Sequence, residues 1–139
     1  MKKLFFVLLL GTIALCALGQ SKGFAQTKGA TITWEKSSHD FGDLTQGDKV
    51  EYTFRFRNTG MEPLIITNVQ VTCGCTTPKG WARDPIPPGQ PGEITIAFNS
   101  LGKFGKQNKV VTIISNAVNP DAGQLSFSAN VLEKKTANQ

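Results

Sequence analysis

Apolar and polar residues alternate along most of the chain with a period of two, the spacing of strands with one buried face. Residues 49–57 show it most cleanly: Val50, Tyr52, Phe54 and Phe56 share one face, and Lys49, Glu51, Thr53, Arg55 and Arg57 share the other. That pattern predicts a half-buried antiparallel strand. The same alternation marks residues 31–35, with Ile32 and Trp34 inward. It recurs over 93–98, with Ile94, Ile96 and Phe98 inward, and over 124–131, with Leu125, Phe127, Ala129 and Val131 inward. Residues 39–44 form a short piece punctuated by Gly42 and closed by the turn Gln46-Gly47-Asp48, and residues 109–115 are apolar on both faces, as in a central strand. Asn58-Thr59-Gly60 turns the chain, with Gly60 free to take a positive φ, and Pro63 opens the next strand where a missing donor costs least.

That next strand changes phase. Leu64 and Ile66 have one parity and Val69 and Val71 the other, so a bulge near Thr67-Asn68 is needed to keep the apolar side inward. In the new phase Cys73 and Cys75 continue the face of Val69 and Val71, which places them half-buried at the strand's end. Residues 79–92 read as loop, with Trp81 as a lid on the core. The proline-rich run inside it suits a rigid connection between sheets better than a polyproline ligand. Seven or so short strands, regular turns and no helical period predict an all-β fold: an immunoglobulin-like antiparallel β-sandwich of about seven strands.

The N-terminus departs from this pattern. Lys2 and Lys3 precede a 15-residue apolar run over residues 4–18. A membrane-spanning helix needs about 20 such residues, so the run has signal-peptide proportions. Small residues favour cleavage after Ala25, with Gly19 the alternative. The expected organisation is a signal peptide over 1–25, a flexible leader over 26–30, the sandwich over 31–132 and a polar tail over 133–139. The protein is then exported, periplasmic or secreted, with no integral membrane span. A lipidated Cys16 is the competing reading, but Leu15 stands where a lipoprotein signal wants a small residue. The formal charge of +5 includes Lys2, Lys3 and Lys22; without them it is small, which argues against a nucleic-acid partner.

Loss of Cys16 leaves Cys73 and Cys75, two positions apart around Gly74, in a compartment where thiols oxidise. Three chemistries are open to them. A disulfide requires the strand to have ended, since an extended backbone holds these Cα atoms at about 7 Å, near the limit for bridging, and Gly74 lets the chain fold. Such a bond would lock a loop or serve as a reducible redox pair. Two thiolates could instead hold Cu(I) or half a zinc site, although His39 is the single histidine and no methionine cluster accompanies it. Free, half-buried thiols are the third case. No cofactor is expected, no catalytic constellation is present, and the chain is not read as an enzyme. Lys103, Lys106 and Lys109 gather around Phe104, as a basic contact patch or, preferably, as protection of a strand edge.

Asp40-Phe41-Gly42, Phe54-x-Phe56-x-Asn58-Thr59-Gly60, Pro63-Leu64-x-Ile66, Cys73-Gly74-Cys75-Thr76, Pro88-Gly89 and Ser115-Asn116 follow in that order. With these motifs the chain resembles the bacterial exported domain-of-unknown-function family 1573, itself similar to the ASPM–SPD-2–Hydin and major-sperm-protein type of immunoglobulin-like domain. The resemblance covers essentially the whole mature chain. It implies the same fold and an extracytoplasmic location, and it implies no established activity; the eukaryotic relatives are non-enzymatic interaction modules. The resulting expectation is an exported interaction or scaffold module for an extracytoplasmic protein or glycan. Its contact rim would hold Cys73, Gly74, Cys75, Thr76, Trp81 and Pro88. A thiol-redox or copper-handling role for Cys73 and Cys75 is the alternative.

Overall fold

The structure, a computed structural model, describes residues 28–136. The expected signal peptide, with Cys16, lies outside the described residues, as do the last three residues of the polar tail. The described chain forms eight strands in chain order: β1 (Ile32–Trp34), β2 (Ser38–Thr45), β3 (Lys49–Asn58), β4 (Ile66–Val71), β5 (Thr76–Trp81), β6 (Pro91–Asn99), β7 (Gly105–Ser115) and β8 (Gln124–Leu132). One 3₁₀ turn, Pro120–Gly123, precedes β8.

The strands build two four-stranded sheets, ordered β1-β3-β6-β5 and β2-β8-β7-β4. Their inner faces are the apolar faces read from the alternation. Phe54, Phe56, Ile94, Ile96 and Phe98 are buried from the first sheet, and Val111, Ile113, Leu125, Phe127, Ala129 and Val131 from the second. Phe98 and Phe127 meet between the sheets with ring centroids 5.4 Å apart, and Phe41 lies edge-on to Phe127 at 5.5 Å. Burial of such rings contributes the largest share of the driving force for pairing the layers. The fold is the expected immunoglobulin-like sandwich, with one strand pair that alternation could not orient: β2 runs parallel to β8.

The predicted bulge is present. The register of β4 on β7 shifts between Ile66 and Asn68, and both Ile66 and Val69 are buried as a result. Residues 79–92, expected as loop, begin instead inside β5, which pairs with β6 and itself shifts register between Pro78 and Gly80. Proline and glycine interrupt its alternation, and a proline is tolerated because β5 is an edge strand. Gly29 and Ala30, expected in a flexible leader, are fixed: Ala30 is 1% exposed, and the Gly29 carbonyl accepts from the Met61 and Glu62 amides at 2.9 and 3.3 Å.

The Asn58-Thr59-Gly60 motif works differently from a simple turn. Asn58 is fully buried at the end of β3. Its Oδ1 accepts from the amides of Thr31 (3.4 Å) and Gly60 (3.0 Å), and its Nδ2 donates to the carbonyls of Glu62 (2.8 Å) and Ile86 (2.9 Å). Gly60 does not adopt a positive φ. It is required by proximity, because a Cβ there would lie 2.2 Å from the Gly29 carbonyl oxygen.

Candidate functional site

Strands β4 and β5 are the edge strands of opposite sheets, and residues 72–75 carry the chain across from one to the other. Val71 pairs with Val111 at the start of the crossover, and Thr76 pairs with Phe98 at its end. Within it the Thr76 amide donates to the Cys73 carbonyl at 3.0 Å, which makes Cys73-Gly74-Cys75-Thr76 a β-turn. The Cys75 carbonyl accepts from the Asn99 amide at 2.8 Å, so the turn is tied to the last residue of β6.

The turn shortens the separation that an extended strand would impose. The Cα atoms of Cys73 and Cys75 lie 5.2 Å apart, inside the range that a bridge requires, and the sulfurs are at disulfide distance. The Cys75 amide donates to Cys73 Sγ at 3.2 Å, and Cys75 Sγ lies 3.8 Å from Thr76 Oγ1. Both cysteines are half-buried, as the parity of β4 predicted, and Cys75 packs against the core. Gly74 folds the chain without using a positive φ, and a Cβ on it would meet nothing within 4 Å. It is exposed at the turn's outer corner, while Thr76 is buried beneath it.

The other expected contact residues fall elsewhere. Trp81 closes the far end of β5 opposite Ile94. The β6 partners of the two ends of β5, Ile94 and Phe98, are four positions apart, so about 13 Å at ~3.3 Å per residue separates Trp81 from Thr76. Its ring packs against the core on one side and carries the Arg83 guanidinium 3.8 Å above its centroid. Pro88 is exposed in a tight turn held by the Gln90 amide on the Pro87 carbonyl (3.1 Å), and Gly89 there has φ +80°. The Gly89 amide in turn donates to the Asn58 carbonyl, at the end of the sandwich away from the cysteines. The proline-rich segment is pinned by Ile86, whose amide and carbonyl both bond to Leu64, as a rigid connection requires. Trp81 and Pro88 therefore share no surface with the cysteine turn.

His39 is also remote. It lies on β2, whereas the cysteine turn follows β4, and these are opposite edges of one sheet. Its ring stacks on Tyr52 with centroids 3.7 Å apart. Burial holds its pKa below the ordinary value, against a raising effect of Asp40 and with a lowering one from Lys36. Among the described residues no three His, Cys, Asp or Glu side chains gather as a metal-binding group. The neighbour that the turn does have is the β6–β7 connection, which like the turn itself crosses between the sheets and is reached through Asn99. Phe104 and the lysines of that connection stand out in the sequence, but Leu101, which is 70% exposed, does not. A lone apolar residue beside a glycine carries no periodic signal.

The sequence profile of a protein family described as a protein of unknown function, DUF1573, matches residues 32–131. No curated protein matches the chain. Three solved structures are similar in fold. One is a protein of unknown function from Porphyromonas gingivalis W83, at 19% identity and TM-score 0.64, covering 80% of this chain and 51% of that one. Another is the secreted serine protease VesC from Vibrio cholerae, at 12% identity and TM-score 0.59, covering 77% of this chain and 24% of that one. The third is the ASH/PapD-like domain 7 of human CEP192, at 11% identity and TM-score 0.57, covering 82% of this chain and 94% of that one. The chain thus spans about half the length of the Porphyromonas protein and nearly all of the CEP192 domain. At these identities the likeness is one of fold.

Proposed function

Because the chain belongs to DUF1573, a family of unknown function, its role has to be read from its own surface, and we propose that it is an exported, non-catalytic interaction module. The module presents the Cys73-Gly74-Cys75 turn, locked as a disulfide, to an extracytoplasmic protein or glycan. The observation that carries this reading is the placement of the turn. It crosses between the edges of both sheets, is fixed to β7 on one side and β6 on the other, and leaves Gly74 exposed at its corner. A bridge closing so short a loop adds little global stability, so its use is local: it removes the freedom of a surface that must be presented in one shape. The signal-peptide proportions of residues 1–25 support export.

A photoreactive residue placed at position 74 in intact cells tests the proposal. A specific adduct that weakens when Cys73 and Cys75 are replaced by serine is the expected result. Adduct levels no higher than from an exposed control position such as Thr33 would remove the basis for it. The half-burial of both sulfurs in a surface turn also keeps a second reading open, thiol–disulfide exchange or copper binding by the reduced pair. Thiol trapping in cells, with metal analysis of the purified protein, separates the two. A bridge that stays closed and metal-free fits the module, and a pair that cycles or carries copper fits the alternative.

A further inference from the structure

The connection that carries the chain from β6 in one sheet to β7 in the other exposes apolar side chains at its tip in a way that the fold does not require. Leu101 is 70% and Phe104 56% exposed, and Leu132, at the end of β8 on the same end of the sandwich, is 46% exposed. The tip is held firmly. The Lys103 amide donates to the Ser100 carbonyl at 3.0 Å, and Gly102 takes φ +72°, the positive value that a type II turn needs at its third residue. Ser100 is fully buried. Its hydroxyl accepts from the Gly47 amide (3.0 Å) and lies 3.1 and 2.9 Å from the Thr45 and Asp48 carbonyls. Gln107 Nε2 donates to the Phe104 carbonyl at 2.7 Å. Every one of these bonds fixes backbone, and none covers the two apolar side chains.

Lysines outnumber carboxylates around the tip. Lys103 and Lys106 flank it, Lys49 lies opposite Asn99, and Lys134 and Lys135 follow Leu132. None of these lysines forms an ion pair among the described residues. Three carboxylates share this end and keep their charge: Asp48 Oδ2 accepts from the Thr45 amide, Asp43 Oδ1 accepts from Asn130, and Glu133 adjoins Lys134 and Lys135. Five lysines against three carboxylates leave this end with a modest positive excess, and Lys103 and Lys106 are the charges nearest the tip in sequence.

We propose that this end docks the protein on an anionic lipid surface, with Leu101 and Phe104 entering the interface and Lys103 and Lys106 meeting the headgroup phosphates. Apolar side chains at a projecting corner ringed by lysines match the layering of such a surface, hydrocarbon beneath a plane of negative charge. A second copy is a poorer occupant, since tip-to-tip contact would bring the lysines of both chains together. The inference stands on the side chains of the β6–β7 connection and does not depend on the chemistry of the cysteines.

The test uses the exported form that begins at Gln26, which keeps every described residue, carrying Leu101→Trp, with the parent protein as the baseline. Vesicles of brominated phosphatidylcholine, with or without phosphatidylglycerol, report insertion by quenching the tryptophan. The expected result is extra quenching of the variant with phosphatidylglycerol and little without it. Adding Lys103→Gln and Lys106→Gln should weaken binding about 25-fold, at roughly fivefold per lysine. Matched thermal unfolding confirms that the variants fold. Equal quenching in both vesicles, no excess over the parent, or indifference to the lysine changes would each overturn the proposal. Concentration-dependent dimerisation abolished by Leu101→Asp would assign the tip to self-association instead. Displacement by soluble polyphosphate without any lipid quenching would assign it to a phosphate site.

Discussion

At the scale of single residues, two glycines that look alike in the sequence have opposite roles. A Cβ on Gly60 would press into the backbone of residues 29–31, while one on Gly74 would enter open space at a permissive φ. Gly60→Ala should therefore lower stability by several kcal/mol or prevent folding, since backbone on backbone has no flexible group to give way. Gly74→Ala should stay within about 0.5 kcal/mol of the parent in urea unfolding. A large loss from Gly74→Ala would show that the turn has a constraint beyond sterics. Asn58 belongs with Gly60. Its side chain satisfies four backbone groups in the core, and Asn58→Ala should cost about 3 kcal/mol by leaving buried partners unpaired. Composition placed both residues in a turn; only packing shows why each is needed. His39 adds a pH dependence. Its folded pKa lies below the unfolded value of 6.5 because burial disfavours the imidazolium, so the unfolded chain binds the proton more readily. Stability is full above pH 6.5 and is lost as pH falls through the lowered folded value. The drop in urea midpoint from pH 7.5 to 5.5 should be smaller in His39→Gln; an equal drop in both proteins would assign the effect elsewhere.

At the scale of elements, legibility followed the completeness of the alternation. Strands β3, β6 and β8 were readable because each buries one face against a full partner sheet, so parity and burial coincide. The bulge of β4 was readable for the same reason, since its parity change has no other remedy. Deleting Asn68 removes the extra residue and leaves Ile66, Val69 and Val71 on one parity, so a cooperative urea transition should be retained, whereas deleting Thr67 and Asn68 together should turn both valines to solvent and abolish it. Strand β5 escaped the pattern because Pro78 and Gly80 break its side-chain signal, while its hydrogen bonds to β6 leave no trace in the sequence. The same gap hid the true neighbour of the cysteine turn. With β5 read as loop, Trp81 and Pro88 could be imagined beside Gly74; with β5 as a strand, they are carried to the far end. The first half of β7 shows a further device. Residues 105–110 pair only with β8, and half-buried Lys109 shares the inward parity of Val111 and Ile113 on that open edge. An inward-pointing charge on an unpaired edge discourages strand addition, which agrees with the preferred reading of that lysine.

At the scale of the whole molecule, the cohesion of the two sheets rests on packing, because the one cysteine pair within the described residues lies on a single crossover and joins neighbours in sequence. A bridge closing a loop of about three residues restricts the unfolded chain by roughly 1.5 kcal/mol, or some 7 °C in Tm for a domain of this size. Phe98 is buried against Phe127 from the opposite sheet, and Phe98→Ala should cost about 4 kcal/mol. The ordering is the prediction: the Cys73→Ser, Cys75→Ser double variant, or the reduced protein, should keep its near-ultraviolet circular dichroism and a single sharp transition. Phe98→Ala should lose more than twice as much stability with both cysteines intact. If reduction alone unfolds the domain, the turn is the keystone of the sandwich rather than a surface device laid on it, and the case for its being free to serve a partner is lost. If the ordering holds, the fold tolerates opening and closing of the bridge, and any defect of the cysteine variant in cells reports on what the turn contacts rather than on whether the protein is folded.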